Sequence, residues 1–165
     1  MARTLATSTT SSDRNAKVTA FASFRVVGDA LTPDQVTRVL KVVPSLAYSK
    51  GDHYYGGPRS PKLVGRTGVW YLSTKGIVAS DKLGDHLEFI ARLLQNGSAA
   101  GAPLKALRQL LRRHDLRADV SCFWSGPAGA RRPSIPRSIQ ALMKELPANI
   151  ETDFDDDAEP GRHAA

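Results

Sequence analysis

Apolar and polar positions along this chain fall into two rhythms, one alternating and one recurring every three to four residues. From Val18 to Val27, alternate positions carry Val18, Ala20, Ala22, Phe24 and Val26, with Thr19, Phe21, Ser23, Arg25 and Val27 between them. Residues two apart share a face of a strand, so this stretch predicts a strand with one strongly buried face. Gly28-Asp29 then turns the chain into a helix, with Thr32 placed as its N-cap, Pro33 at its first position and Gln35 at the capping-box position. Leu31 and Val36 have the spacing of a hydrophobic staple. Val36, Val39, Leu40 and Val43 form the inward stripe, and Pro44 denies the helix a further donor.

Ser49 to Gly68 is broken by five glycines and two prolines among basic and aromatic residues, which predicts a long irregular loop. Thr67 to Ser73 reads as a second strand, with Val69 and Tyr71 opposite Trp70 and Leu72. A helix over 81–95 follows from Leu83, Leu87, Ile90, Ala91 and Leu94, and Asn96-Gly97 supplies a left-handed stop. Another starts at Pro103 and buries Leu104, Leu107, Leu110 and Leu111. Asp119 to Ser125 is a third strand. A helix with Pro136 in its first turn turns Ile139, Leu142, Met143 and Leu146 inward before Pro147, and Ile150, Thr152 and Phe154 alternate along a final strand.

The order β-α-β-α-α-β-α-β contains an echo, since Phe24 to Leu40 and Phe123 to Leu142 both run strand, glycine-containing turn, proline-started helix. It predicts an α+β fold: a four-stranded, mostly antiparallel sheet with helices on one face. The expected form is a ferredoxin-like sandwich of two βαβ halves joined by a helical pair.

A length of 165 residues suits one domain, expected over residues 17–155, between a disordered leader (1–16) and a disordered acidic tail (156–165). No apolar run approaches the roughly 20 residues that cross a bilayer. The single cysteine, Cys122, has no internal disulfide partner, and the N-terminus has no continuous apolar segment, which together favour the cytoplasm. The formal net charge is +7, although six acids beyond residue 147 oppose only Arg162 there, so the body is more basic than the whole. Such a body attracts phosphate or an acidic protein surface, unless the tail screens it.

Five short motifs stand in a fixed order: Gly28-Asp29 before Thr32-Pro33-Asp34, Lys50-Gly51-Asp52, Thr67-Gly68-Val69-Trp70 with Ser73, His86-Leu87, and Cys122-Phe123-Trp124-Ser125. In that order and spacing they resemble the bacterial domain-of-unknown-function 4279 family, over about residues 17 to 154. The resemblance implies a small bacterial cytoplasmic α+β domain. It brings no activity, cofactor or catalytic residue with it.

Candidate chemistry lies first in the long loop. Lys50, Asp52, His53 and Arg66, beside Tyr54, Tyr55 and Trp70, are the mixture that grips an anion or planar ligand by charge-assisted bonds and stacking. A solvated loop covering the sheet edge is the plainer reading. His86 could pair with Asp52 or His53 as acid and base or in a metal site, while an exposed helix face, or a histidine tying helix to loop, is the plainer reading. Lys105, Arg108 and Arg112 fall near one face of the third helix, where they contact either solvent or phosphate. Cys122 reads as a small buried hydrophobe. The leading expectation is a non-catalytic binding module for a protein or small anionic partner, with no metal, cofactor or catalytic residue assigned. The alternatives are a hydrolase-type site in the 49–68 loop and a nonspecific nucleic-acid contact through the basic helix 103–117.

Overall fold

The strand announced by the alternation from Val18 to Val27 is the centre of the molecule. The computed structural model describes residues 17–95 and 102–156. Along the chain lie β1 (Thr19–Gly28), α1 (Pro33–Leu40), β2 (Leu46–Tyr48), β3 (His53–Tyr55), β4 (Lys62–Val64) and β5 (Gly68–Ser73). They are followed by α2 (Leu83–Gln95), α3 (Ala102–His114), β6 (Arg117–Ser125), α4 (Arg137–Glu145) and β7 (Asn149–Asp155). The main sheet has the order β2-β5-β1-β6-β7, and β3 and β4 form a separate hairpin. β1 is antiparallel to both neighbours, β2 is antiparallel to β5, and β7 runs parallel to β6.

Register explains the core. Phe24 lies between Leu72 and Val120, and Val26 between Trp70 and Ala118, so the apolar parity of three strands makes one continuous dry face. Phe24 meets Trp70 edge to face at 6.3 Å, and the Trp70 Nε1–H donates to Thr37 Oγ1 at 2.9 Å, which fixes α1 over β5. The helices lie against this face: α2 on β1 and β6, α4 on β7, and α3 against α1 and α2. Leu83, Leu87, Ile90 and Leu94 of α2 are buried there with Leu104, Leu107 and Leu111 of α3.

Four expectations need correction. The main sheet has five strands, because the three-residue β2 adds an edge that is too short to show a period in sequence. The two equivalent βαβ halves expected from the echo are not formed, because β1 and β5 pair antiparallel. The strand after α1 that runs with β1 is β2, separated from it by β5, whereas β6 and β7 are direct parallel neighbours across α4. α1 stops at Leu40, since Lys41 adopts the left-handed conformation (φ 53°, ψ 38°), so Val43 is turned out and 81% exposed. Thr32 precedes the helix as expected but makes no side-chain cap bond. The stop at Asn96-Gly97 and the two terminal segments, 1–16 and 157–165, lie outside the described residues.

Phe24→Ala should lower the unfolding free energy by about 4 kcal/mol, the usual cost of an aromatic deleted from a dry core. Val43→Ser, at the position the left-handed stop exposes, should stay within about 0.5 kcal/mol. Urea denaturation of both variants checks the pair; equal losses would place Val43 in the core after all.

Candidate functional site

The second face of the sheet carries the other parity of the same strands. Phe21, Ser23, Arg25 and Val27 of β1 stand beside Val69, Tyr71 and Ser73 of β5 and Asp119, Ser121 and Phe123 of β6. None of the four helices covers them. Arg25 opposes Tyr71 on one side and Asp119 on the other, and its Nε–H donates to the two Asp119 carboxylate oxygens at 3.0 and 3.2 Å. Its Nη2 lies 3.0 Å from Asp119 Oδ2, so the pair is a planar fork rather than a point contact. Phe21 and Phe123 stack at 4.6 Å, and Lys75 Nζ sits 5.6 Å over the Phe21 ring.

At one end of this face the β3–β4 hairpin is held by specific contacts. Tyr54 of the hairpin stacks on Tyr48 of β2 at 4.0 Å with the planes 10° apart. Burial and a hydrogen bond to Tyr54 push the Tyr48 phenol up to about 12, against the nearby Arg25 charge, so it is neutral through the physiological range. Gly51 N–H donates to the Gly65 carbonyl and Gly65 N–H to the Asp52 carbonyl, each at 2.8 Å. The Asp52 carboxylate accepts from Ser49 N–H at 2.9 Å. Lys50 makes an ion pair with Asp29, and the Asp29 carboxyl is held below its ordinary range by hydrogen bonds from Lys50 and Thr67. A Cβ on Gly65 would lie 2.7 Å from the Tyr48 ring and 2.9 Å from the Ser49 carbonyl oxygen, so this crossing requires glycine.

The structure therefore brings Lys50, Asp52, His53 and Arg66 together around the hairpin and separates two other residues from them. Lys50 and Asp52 are spent on anchoring, while His53 and Arg66 are exposed. Trp70 is fully buried on the opposite, helix-covered face and cannot meet a ligand at the loop. His86 is 1% exposed and belongs to the far end of β1. Its neighbour there is Ala22, whereas Lys50 pairs with Asp29; seven residues of extended chain span about 23 Å.

Both ring nitrogens of His86 are engaged. Nε2 lies 3.0 Å from the Ser80 carbonyl, which only accepts, so Nε2 carries a proton. Nδ1 lies 2.7 Å from Thr74 Oγ1, which in turn accepts the Ala22 N–H at 2.9 Å. The Thr74 hydroxyl donates to the Ala22 carbonyl at 2.8 Å, and that carbonyl also accepts the Thr74 N–H at 2.9 Å. His86 thus locks α2 to the chain leaving β5.

Arg25, Asp119, Tyr48 and the Phe21–Phe123 stack went unnoticed in sequence. Their signal was a lone charge in the middle of a strand otherwise flanked by apolar residues, and naming its partner required the β1–β6 register. On α3, Lys105 and Arg112 are exposed and Arg108 is half-buried, and the helix contains no acidic residue. Cys122 is buried in the core, and burial pushes its thiol up to about 11.

These features define a small α+β domain with one sheet face sealed by helices and the other carrying aromatic and charged groups. The family model "Domain of unknown function (DUF4279)" matches residues 16–157, and the chain belongs to that family. No curated protein and no solved structure matches it.

His86→Ala leaves the Thr74 hydroxyl and Ser80 carbonyl facing a cavity and should cost about 3 kcal/mol of stability, against about 0.5 kcal/mol or less for exposed His53→Ala. Chemical denaturation of the two variants decides whether the buried imidazole is a structural lock. Cys122, protonated below about pH 11 in the fold, should resist a thiol reagent at pH 8 and react fully in denaturant. Rapid labelling of the folded protein would contradict that burial.

Proposed function

We propose that the protein is a non-catalytic binding module of the bacterial cytoplasm, gripping a protein partner through the β3–β4 hairpin. The observation that carries this reading is the outward side of the hairpin. His53 pairs with Val64, Tyr54 with Leu63 and Tyr55 with Lys62, so the side that does not stack on Tyr48 presents His53, Tyr55, Lys62 and Val64 together. Tyr55 is 61% and Val64 56% exposed, on a two-stranded ribbon whose base is pinned by the Gly51–Gly65 bonds and the Lys50–Asp29 pair. A rigid aromatic with an aliphatic neighbour and a basic rim is the composition of an interface anchor, and pre-organisation lowers the entropy cost of using it. Lys62, Arg59 and Arg66 favour an acidic partner surface. The unpaired, buried Cys122 accords with a reducing compartment.

A small anionic ligand at the loop has less support, because the Lys50 ammonium is already engaged by Asp29. A hydrolase-type site there needs a second acid–base group beside His53. His86, the other histidine considered, has both ring nitrogens occupied elsewhere.

The test is affinity capture from a native bacterial lysate with quantitative mass analysis, run with the wild type and with Tyr55→Ala/Val64→Ser. One protein should be enriched by the wild type, and its affinity should fall about 30-fold or more in the variant, as for a central anchor of about 2 kcal/mol. Enrichment indifferent to the hairpin substitutions, or no enrichment, would overturn the reading.

A further inference from the structure

A second surface lies in the helical layer, away from the hairpin. α3 carries four basic side chains over its 13 residues and no acid, and its buried leucines turn Lys105, Arg108 and Arg112 outward. None of the ion pairs among the described residues involves them. On the flank that faces α1, Ala106, Gln109, Leu110 and Arg113 meet Gln35, Arg38 and Val39 across a groove of about 300 Å³. Arg38 stands on one wall and Arg113 on the other, both exposed. The Arg38 Nε–H is fixed by the Asp34 carbonyl at 3.3 Å, and Asp34 is the only acid on α1.

One polar group in this groove is left unsatisfied. Gln35 Oε1 is the single buried side-chain oxygen or nitrogen without a hydrogen-bond partner among the described residues. A half-turn of its amide would offer the NH₂ in place of the oxygen, adding a donor to those of the two guanidinium groups.

We infer that the α1–α3 groove seats the phosphate backbone of a nucleic acid without reading its sequence. Three properties select this occupant over an acidic protein. Guanidinium forks match the oxygens of a phosphodiester in pairs, and arginine outnumbers lysine on this surface. The cations recur along α3 from Lys105 to Arg112, a rise of about 10 Å, which suits a ligand whose charge also repeats along a line. Val39 and Leu110, the larger apolar residues of the lining, are half-buried and packed against the core, so affinity here comes from counterion release, whereas an interface with a protein is built around apolar groups that project into the partner. The surface is distinct from the hairpin, and neither assignment depends on the other.

The experiment is fluorescence anisotropy of a labelled 20-nucleotide single strand, and of its duplex, titrated with the full chain from low to near-physiological salt. Wild-type protein should bind at low salt, with log K falling linearly in log salt. Arg38→Ala/Arg113→Ala should weaken binding at least tenfold and reduce the single-strand slope by about 1.4, the loss expected for two phosphate contacts at about 0.7 each. Lys82→Ala/Lys144→Ala, at exposed positions outside both surfaces, should bind as wild type. Any one of three results would overturn the inference: no binding at low salt, equal losses in both double variants, or displacement by polyglutamate as effective as by unlabelled oligonucleotide. Thermal melts of the variants, whose substituted side chains are exposed, confirm that each compared protein is folded.

Discussion

The constraint on which the rest depends is that β1 pairs with β6 from Thr19 to Val27 and with β5 from Ser23 to Gly28. Where both sides are paired the backbone has no free groups to offer, so the side chains alone decide what covers the sheet. One parity of β1 is small or apolar without exception from Ala20 to Val26, and that face takes all the helices. The other parity mixes Phe21, Ser23, Arg25 and Val27, and it meets Asp119, Tyr71 and Phe123 instead of a helix. The molecule thus acquires a sealed face and an open face from a single ten-residue strand.

This asymmetry accounts for how much could be read in advance. Long elements with a clear period, β1, α2 and α4, were legible to within a residue or two because burial of one face imposes its rhythm directly on the sequence, whereas α3 ends at His114, short of the expected 117, because Asp115 turns left-handed (φ 50°) and Arg117 already belongs to β6. β2 was not legible, since three residues carry no period and its place is fixed only by hydrogen bonds to β5. The length of α1 was misread for a different reason. Val43 continues the apolar spacing, but the left-handed Lys41 is a backbone event with no glycine to announce it. The candidate loop residues Lys50, Asp52, His53 and Arg66 lie around the hairpin, yet Trp70 and His86 belong to the core, and no local pattern distinguishes a buried aromatic beside a loop from an exposed one. Arg25 and Asp119 are 94 residues apart in the chain, so their contact exists only once the strands are in register.

Charge is likewise distributed by the fold and not by the chain average. β7 is an edge strand, and Glu151 and Asp153 project from it on the open side; acids along a free edge repel a second strand and keep the sheet from extending. Basic residues gather elsewhere, on the hairpin and on α3. A formal net charge of +7 therefore describes two positive regions and one negative margin, each facing different solvent. At physiological ionic strength, surface charges separated by more than about 8 Å act nearly independently, so the acidic margin does little to neutralise either positive region.

The residues that carry the family likeness have a structural explanation. Gly28-Asp29, Lys50-Gly51-Asp52 and Thr67-Gly68 converge at one joint, where a Cβ on Gly68 would lie 2.8 Å from the Gly28 carbonyl oxygen and Asp29 holds Lys50. His86 locks the opposite end of β1, and Trp70 and Cys122 fill the core. These residues secure the sheet and its hairpin, and the polar groups of Asp29, Lys50, Asp52, Trp70 and His86 are engaged within the chain. A group so engaged has nothing left to give a ligand without first breaking a bond the fold uses. A partner of either kind proposed above would therefore meet side chains outside that likeness: Tyr55 and Val64 on the hairpin, and Arg38 and Arg113 across the helical groove.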